Sequence, residues 1–311
     1  MNFIIGPHKA MIIQKNSRPR YFSAVLLSGI ANFSLGASSL YWKKLGEVPV
    51  LTLVSYRVLL STIILGALFI YYKNFNKISN LNKKSIIAHC TASFFIVINW
   101  GAFIWASVND FVLESGLGYL LAPFISITLG IVFYNDQISR SKVWSVAIAF
   151  ASIVFLVFSS ENLNHLTYLL IALTWGSYTY IKKETSLNAI NGLFLETLFL
   201  TLCILLAFLL LGLPIALPDE LPEGITHLIW LAGIVSVTPL LMFSFASREI
   251  PLSLTGILQF ILPLTLISIG LFFGDPEDTS QSQIIILAII SILLAIIACE
   301  TLSTHKAKKP E

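Results

Sequence analysis

Long apolar blocks recur from one end of this sequence to the other, and they constrain its fold more than any other feature. A bilayer core of roughly 30 Å asks for about 20 consecutive apolar residues per helical crossing. Windows bounded by charged or turn-forming residues fall at 22–42, 54–72, 86–107, 114–134 and 142–159. Further windows fall at 166–181, 192–212, 226–247, 252–273 and 283–302, set apart by Pro214, Pro218 and Pro222 and by Gly274, Asp275 and Pro276. The chain is 56% apolar and only 11% charged, whereas an ordinary soluble domain carries about 25% charged residues. The expected fold is an all-α membrane protein of ten transmembrane helices. Lys15, Arg18 and Arg20 ahead of the first window resemble the start of a signal peptide, but Asn32, Ser34 and Gly36 at its centre and the windows that follow mark it as a permanent helix.

Charge placement orients such a chain, because basic loops stay in the cytoplasm. Lys9, Lys15, Arg18 and Arg20 precede the first window, and Lys73, Lys77, Lys83 and Lys84 follow the second. Arg140, Lys142, Lys182, Lys183, Arg248, Lys306, Lys308 and Lys309 fall on the same side. The opposite loops hold Lys43 and Lys44 but carry Asp110, Glu161, Asp219, Glu220, Glu223, Asp275, Glu277 and Asp278. Both termini are therefore expected in the cytoplasm. The net charge of +3 is scattered over short loops, which gives no stripe for nucleic acid. Cys90, Cys203 and Cys299 lie far apart in apolar stretches and read as small buried hydrophobes, so no metal site is expected.

A shift of 140 residues brings Gly36 onto Gly176 and Leu53 onto Leu193. The same shift brings Phe103, Ala106, Ser107, Gly116, Pro123, Ile127, Gly130 and Phe133 onto Phe243, Ala246, Ser247, Gly256, Pro263, Ile267, Gly270 and Phe273. Shared Gly and Pro positions are rarer by chance than shared Leu. With five crossings per copy, the second copy must enter from the other face, so the repeat is inverted. The expected division is a tail over 1–20, repeats over 21–160 and 161–302, and a tail over 303–311. Inverted repeats of this kind characterise secondary transporters, with substrate held near mid-bilayer between the halves. Pro123 lies near the middle of its helix and Pro263 sits equivalently. Each removes a backbone hydrogen bond and bends its helix, either freeing a carbonyl toward a cavity or serving packing alone.

The stretch Asn99, Trp100, Phe103, Ile104, Trp105, Ala106, followed by Leu113, Glu114, Ser115, Leu117, Gly118, Tyr119 and Pro123, resembles the RarD branch of the EamA-like drug/metabolite transporter superfamily. So does the run from Val237 to Leu241 followed by Gly256, Gln259, Phe260 and Pro263. The resemblance spans nearly all of residues 20–302. It implies ten helices in two inverted halves, a plasma-membrane location, and movement of small metabolites or drugs by alternating access. A chloramphenicol-sensitivity label attached to that branch names a drug and leaves the native substrate open. Where the branch usually shows Gly-Glu after its fourth helix, this chain has Asn135 and Asp136, which leaves the form of that turn open.

Candidate substrate-binding residues are Asn99, Trp100, Tyr119, Pro123, Gln259 and Pro263. Tyr119 and Gln259 each stand four residues before a bend proline, on its helical face, and interhelical hydrogen bonding is their other role. The candidate gating or charge-pair residues are Arg57, Glu114 and Glu196, since an ionisable side chain at mid-bilayer costs about 2.5–3.5 kcal/mol by insertion scales. Arg57 and Glu196 are near-equivalent in the repeat but fall toward opposite faces. Glu114 is the expected partner of Arg57, as a gate or as a fixed pair, and a cytoplasmic Lys that of Glu196. His89 and Glu300 read as interfacial. Ser126 and Thr128 read as satisfying backbone carbonyls.

No Gly-x-x-x-x-Gly-Lys run is present, so ATP is not the expected energy source and no cofactor is expected. The partners to expect are a small-molecule substrate, membrane lipid and a coupling proton, Na⁺ or counter-substrate; the oligomeric state is not legible. An intramembrane enzyme would need an acid, base, nucleophile or metal set converging at one depth, and the sequence offers none. A non-transporting receptor or scaffold would be expected to carry larger external loops.

Overall fold

The computed structural model describes residues 18–72, 82–109, 111–136, 140–159, 163–185, 187–222 and 224–273. The described residues form helices and no strand. They are α1 (Arg18–Lys44), α2 (Val50–Tyr71), α3 (Lys83–Val108), α4 (Val112–Tyr134), α5 (Arg140–Ser159), α6 (His165–Glu184) and α7 (Ala189–Leu211). After a 3₁₀ turn at Pro218–Glu220 come α8 (Ile225–Ile229), α9 (Ala232–Glu249), α10 (Leu252–Gln259) and α11 (Ile261–Phe273). The tenth window, with Glu300, and the turn at Gly274–Pro276 lie outside the described residues.

Local chemistry explains the helix ends. Asn82, Asn164 and Asn188 cap α3, α6 and α7, each side chain accepting from a backbone amide three residues on. Asn135 ends α4 in the left-handed region at φ 51°, where Asn substitutes for glycine at little steric cost. Asp136 next to it accepts from the Ser253 amide at 2.8 Å and so satisfies the start of α10.

The proline bends resolve unequally. Pro263 has no amide to offer the Gln259 carbonyl, and the crossing breaks there into α10 and α11 through Phe260. Pro123 likewise cannot serve the Tyr119 carbonyl, yet α4 runs through it unbroken. The window at 226–247 becomes α8 and α9, joined through Trp230 and Leu231, whose backbones stay right-handed helical.

Among the described residues, six helical spans are long and apolar enough to cross a membrane: Pro19–Lys44, Val50–Tyr71, Lys83–Val108, Glu114–Tyr134, Ala189–Leu211 and Ile225–Glu249. α6 is as long as a crossing needs, but it turns Thr167, Tyr168, Thr174, Tyr178, Thr179 and Lys182 into the bundle. The distribution of side chains is reversed relative to a soluble domain. Phe22, Ile63, Phe158, Leu166, Leu210 and Leu211 stand exposed, whereas Asn32, His89, Asn99, Lys182, Glu196 and Gln259 are buried. Apolar surface on that scale suits a lipid solvent.

Glycines let the helices approach. Gly118 of α4 faces Ile171 and the Tyr168 carbonyl of α6, and Gly176 of α6 faces Ile125 of α4. This pair runs parallel: Glu114 meets Asn164 at one end, and Tyr134 donates to Glu184 at the other. Gly36 of α1 fits against the Leu262 carbonyl and Thr265 of α11 in a matching way. Gly256 of α10 packs on the Pro123 carbonyl and Ser126 of α4, and Gly130 of α4 packs on Leu252 and Ser253. α2 and α7 run antiparallel, joined by a Thr62–Thr201 hydroxyl contact of 2.8 Å and by Phe69 stacked on Phe194 at 4.9 Å.

Candidate functional site

Six helices converge on a hollow lined by Leu35 of α1, Arg57 of α2, Asn99, Trp100 and Phe103 of α3, Tyr119 of α4, Trp175 of α6 and Leu262 of α11. About 280 Å³ of empty space lies between these side chains, counting the part open at its mouth. Most of it is narrow crevice and open mouth: the clear space would seat about one water molecule, so the hollow is drawn in around its lining in this conformation. Asn99 organises the polar wall. Its side-chain oxygen accepts from the Tyr119 hydroxyl at 3.0 Å, and its amide donates to the Ile171 carbonyl and to the Thr174 hydroxyl, each at 3.2 Å. The aromatic wall is edge-to-face: Phe103 on Tyr119 at 5.6 Å and Tyr119 on Trp175 at 6.0 Å between centroids.

Arg57 is 2% exposed. α2 begins at Val50, four residues before the apolar window, because Pro49 provides the N-cap. Arg57 therefore lies about two turns inside the helix, about 10 Å from its start at 1.5 Å per residue, and not near the interface as the window implied. Its guanidinium lies 4.1 Å from the Trp100 ring centroid and 5.1 Å from that of Trp42. The expected Arg57–Glu114 contact is not formed in this conformation. Glu114 instead accepts from the Asn164 backbone amide at 3.2 Å, fastening the start of α4 to the start of α6.

Glu196 has a Lys partner, as the charge distribution suggested, and the partner is Lys182 at 2.6 Å. Lys182 is not a loop residue but sits in the last turn of α6, 1% exposed. His89, read from sequence as interfacial, is fully buried with its Nδ1 2.8 Å from the same carboxylate. Gly192 makes the room, since a Cβ there would meet the His89 ring at 2.9 Å. Tyr178 donates to Glu196 at 3.4 Å and stacks on Trp175 at 5.7 Å, so one aromatic step joins this cluster to the hollow.

The other expected binding residues lie outside the hollow. Gln259 is 1% exposed and spent on neighbours: its amide donates to Thr179 at 2.7 Å and its oxygen accepts from Ser126 at 3.2 Å. Ser126 is thus a cross-helix donor rather than a backbone satisfier. Pro123 and Pro263 are buried, Pro123 beneath Gly256 and Pro263 next to the wall residue Leu262. Trp175 went unnoticed in the sequence; an inward-facing tryptophan in an apolar helix has no local mark.

The chain is 32% identical over 264 residues to the uncharacterized transporter YojE of Bacillus subtilis, covering 83% of this chain and 88% of that one. It belongs to the RarD family. Protein RarD of Salmonella typhi is 26% identical over 91% of this chain and 97% of its own. The uncharacterized transporter PA0485 of Pseudomonas aeruginosa is 28% identical over 79% and 84%. No family model matches the chain. A crystallised protein 14% identical in sequence superposes with a TM-score of 0.65 over 89% of this chain and 97% of its own, which speaks for a shared fold. This RarD-family chain is thus a multi-pass membrane transporter, and its hollow is the natural place to look for a solute.

Proposed function

We propose that this RarD-family protein is a secondary transporter that moves a small organic solute across the plasma membrane by alternating access around the central hollow. The observation that carries the reading is the hollow itself: a polar and aromatic cavity, roofed by a buried cation, where six helices from both ends of the chain meet. Asn99, Trp100 and Tyr119 contact the solute, with Arg57 and Trp175 completing its walls. Pro123, Pro263 and Gln259 act as the bend and packing joint between α4 and the α10–α11 crossing. Glu114 fastens the face opposite the Glu196 cluster.

The ten-helix arrangement of two inverted repeats, 21–160 and 161–302, belongs to the same proposal. It is supported by helix packing that recurs after exchange of the halves. α1 packs on the α10–α11 crossing as α6 packs on α4, and α1 packs on α9 as α6 packs on α3. α2 meets α7, the contact a two-fold axis in the membrane plane would give. Arg20, Lys83, Lys84, Lys183 and Arg248 gather at one end, while the other holds Lys43 and Lys44 with Glu47, Asp219 and Glu220; that excess of basic residues supports cytoplasmic termini.

Purified protein in liposomes should show saturable flux of a solute found by a binding screen of phenicols, amino acids, purines and polyamines. Flux unaffected by Tyr119→Ala and Asn99→Ala would remove the hollow from the transport path.

A further inference from the structure

We propose that the hollow is an anion site, and that the solute it takes is a carboxylate borne on a flat, apolar body; this rests on reading the hollow as the solute site. The argument starts from Arg57. A guanidinium stays protonated in proteins, and here it is buried without an acid. No carboxylate among the described residues pairs with it. Its Nε and Nη1 have no hydrogen-bond partner there either. A buried cation normally pairs or finds acceptors. The ring faces of Trp42 and Trp100 answer part of its charge but take none of its directed N–H groups.

The rest of the wall has the same bias. The indole N–H of Trp175 lacks an acceptor among the described residues. The side-chain carbonyl of Asn99 is already occupied by the Tyr119 hydroxyl. The side chains of the hollow therefore present donors in excess of acceptors, with one full positive charge among them. A cationic solute meets repulsion there, and a neutral carbonyl can accept from the guanidinium but leaves its charge uncompensated. A carboxylate fills two N–H positions of the fork in parallel. Phe103, Tyr119 and Trp175 offer ring edges and faces to a planar apolar remainder. A phosphate also fits the fork, but its second charge meets no second cation among the lining residues.

The contrast with Glu196 sharpens the point. That buried acid is met by Lys182 and His89 at 2.6 and 2.8 Å. The fold thus closes one buried charge completely and leaves the other facing a cavity.

Four compounds sharing one phenyl body decide the matter: phenylacetate, phenylacetamide, phenethylamine and phenyl phosphate. Binding is read by tryptophan fluorescence on the full-length protein in dodecyl maltoside, and flux is read in proteoliposomes. Phenylacetate should bind about tenfold tighter than phenylacetamide, equivalent to ~1.4 kcal/mol, with phenethylamine weakest. Arg57→Gln should bring the acid-to-amide ratio to about one, and Arg57→Lys should keep part of the preference. The wild-type series stands whether or not the Gln variant folds.

Equal binding of acid, amide and amine by the wild type would overturn the proposal, as would an acid preference that survives Arg57→Gln. Tighter binding of phenyl phosphate than of phenylacetate would overturn the carboxylate assignment, and absence of binding by every compound would overturn the site. Acid-selective binding without flux would support the site while counting against transport. Flux without acid preference would do the reverse.

Discussion

Replacing Glu196 by Gln should be among the most destabilising single changes in the protein. The carboxylate is 1% exposed and lies 2.6 Å from the Lys182 ammonium, itself fully enclosed. Gln keeps the volume and a hydrogen bond to His89 but removes the countercharge. Breaking a buried pair from one side costs about 3–5 kcal/mol, because the surviving charge is left without compensation. The two sides are unequal. Glu196 has His89 as a second partner, while Lys182 has as its other close neighbour the Tyr178 ring, 5.8 Å away. Lys182→Met should therefore cost less than Glu196→Gln, and the double variant should recover most of the loss. Equilibrium unfolding in dodecyl maltoside with increasing sodium dodecyl sulfate, followed by circular dichroism, gives all three values. A Glu196→Gln cost below about 1 kcal/mol, or a double variant as unstable as the two singles added, would refute the closed charge cluster.

Gly118→Val should cost about 1–3 kcal/mol by overpacking, since its Cβ would come within 2.7 Å of Ile171, whereas Gly116→Ala meets nothing within 4 Å and should be silent; both are read in the same unfolding assay. Asn135→Val should destabilise by about 1–2 kcal/mol at its left-handed backbone, and Asn135→Gly should be tolerated, checked by thermal shift. Tyr119→Phe removes the 3.0 Å bond to Asn99 and should cost about 1 kcal/mol in stability, while raising the apparent KM of whichever solute the liposome assay identifies.

Periodicity and punctuation made the all-helical character and the long apolar spans readable from sequence, because a lipid solvent demands long apolar runs and tolerates little else. Depth was harder to read. The apolar window opens at 54, yet Pro49 can start a helix at Val50, and those four extra residues carry Arg57 deeper into the bundle. His89 failed for a related reason: nothing local to Ile86–Cys90 tells that Gly192, a hundred residues on, leaves space for an imidazole beside Glu196. Gln259 reads as a substrate ligand from its place four residues before Pro263, but sequence could not show that Thr179 and Ser126 would consume its amide. Tyr119, Asn99 and Trp100 stood out because they fall in the stretch that carries the family resemblance, a mark Trp175 lacks, and all four line the hollow.

Thiol labelling at Phe103 puts the two-sided hollow to the test. In a background with Cys90, Cys203 and Cys299 replaced by Ala, Phe103→Cys in vesicles of known sidedness would be exposed to a membrane-impermeant maleimide from one face and then the other. Alternating access requires modification from both faces, slowed by bound solute on each. Reaction from a single face, or from neither, would contradict a hollow that opens in turn to each side of the membrane.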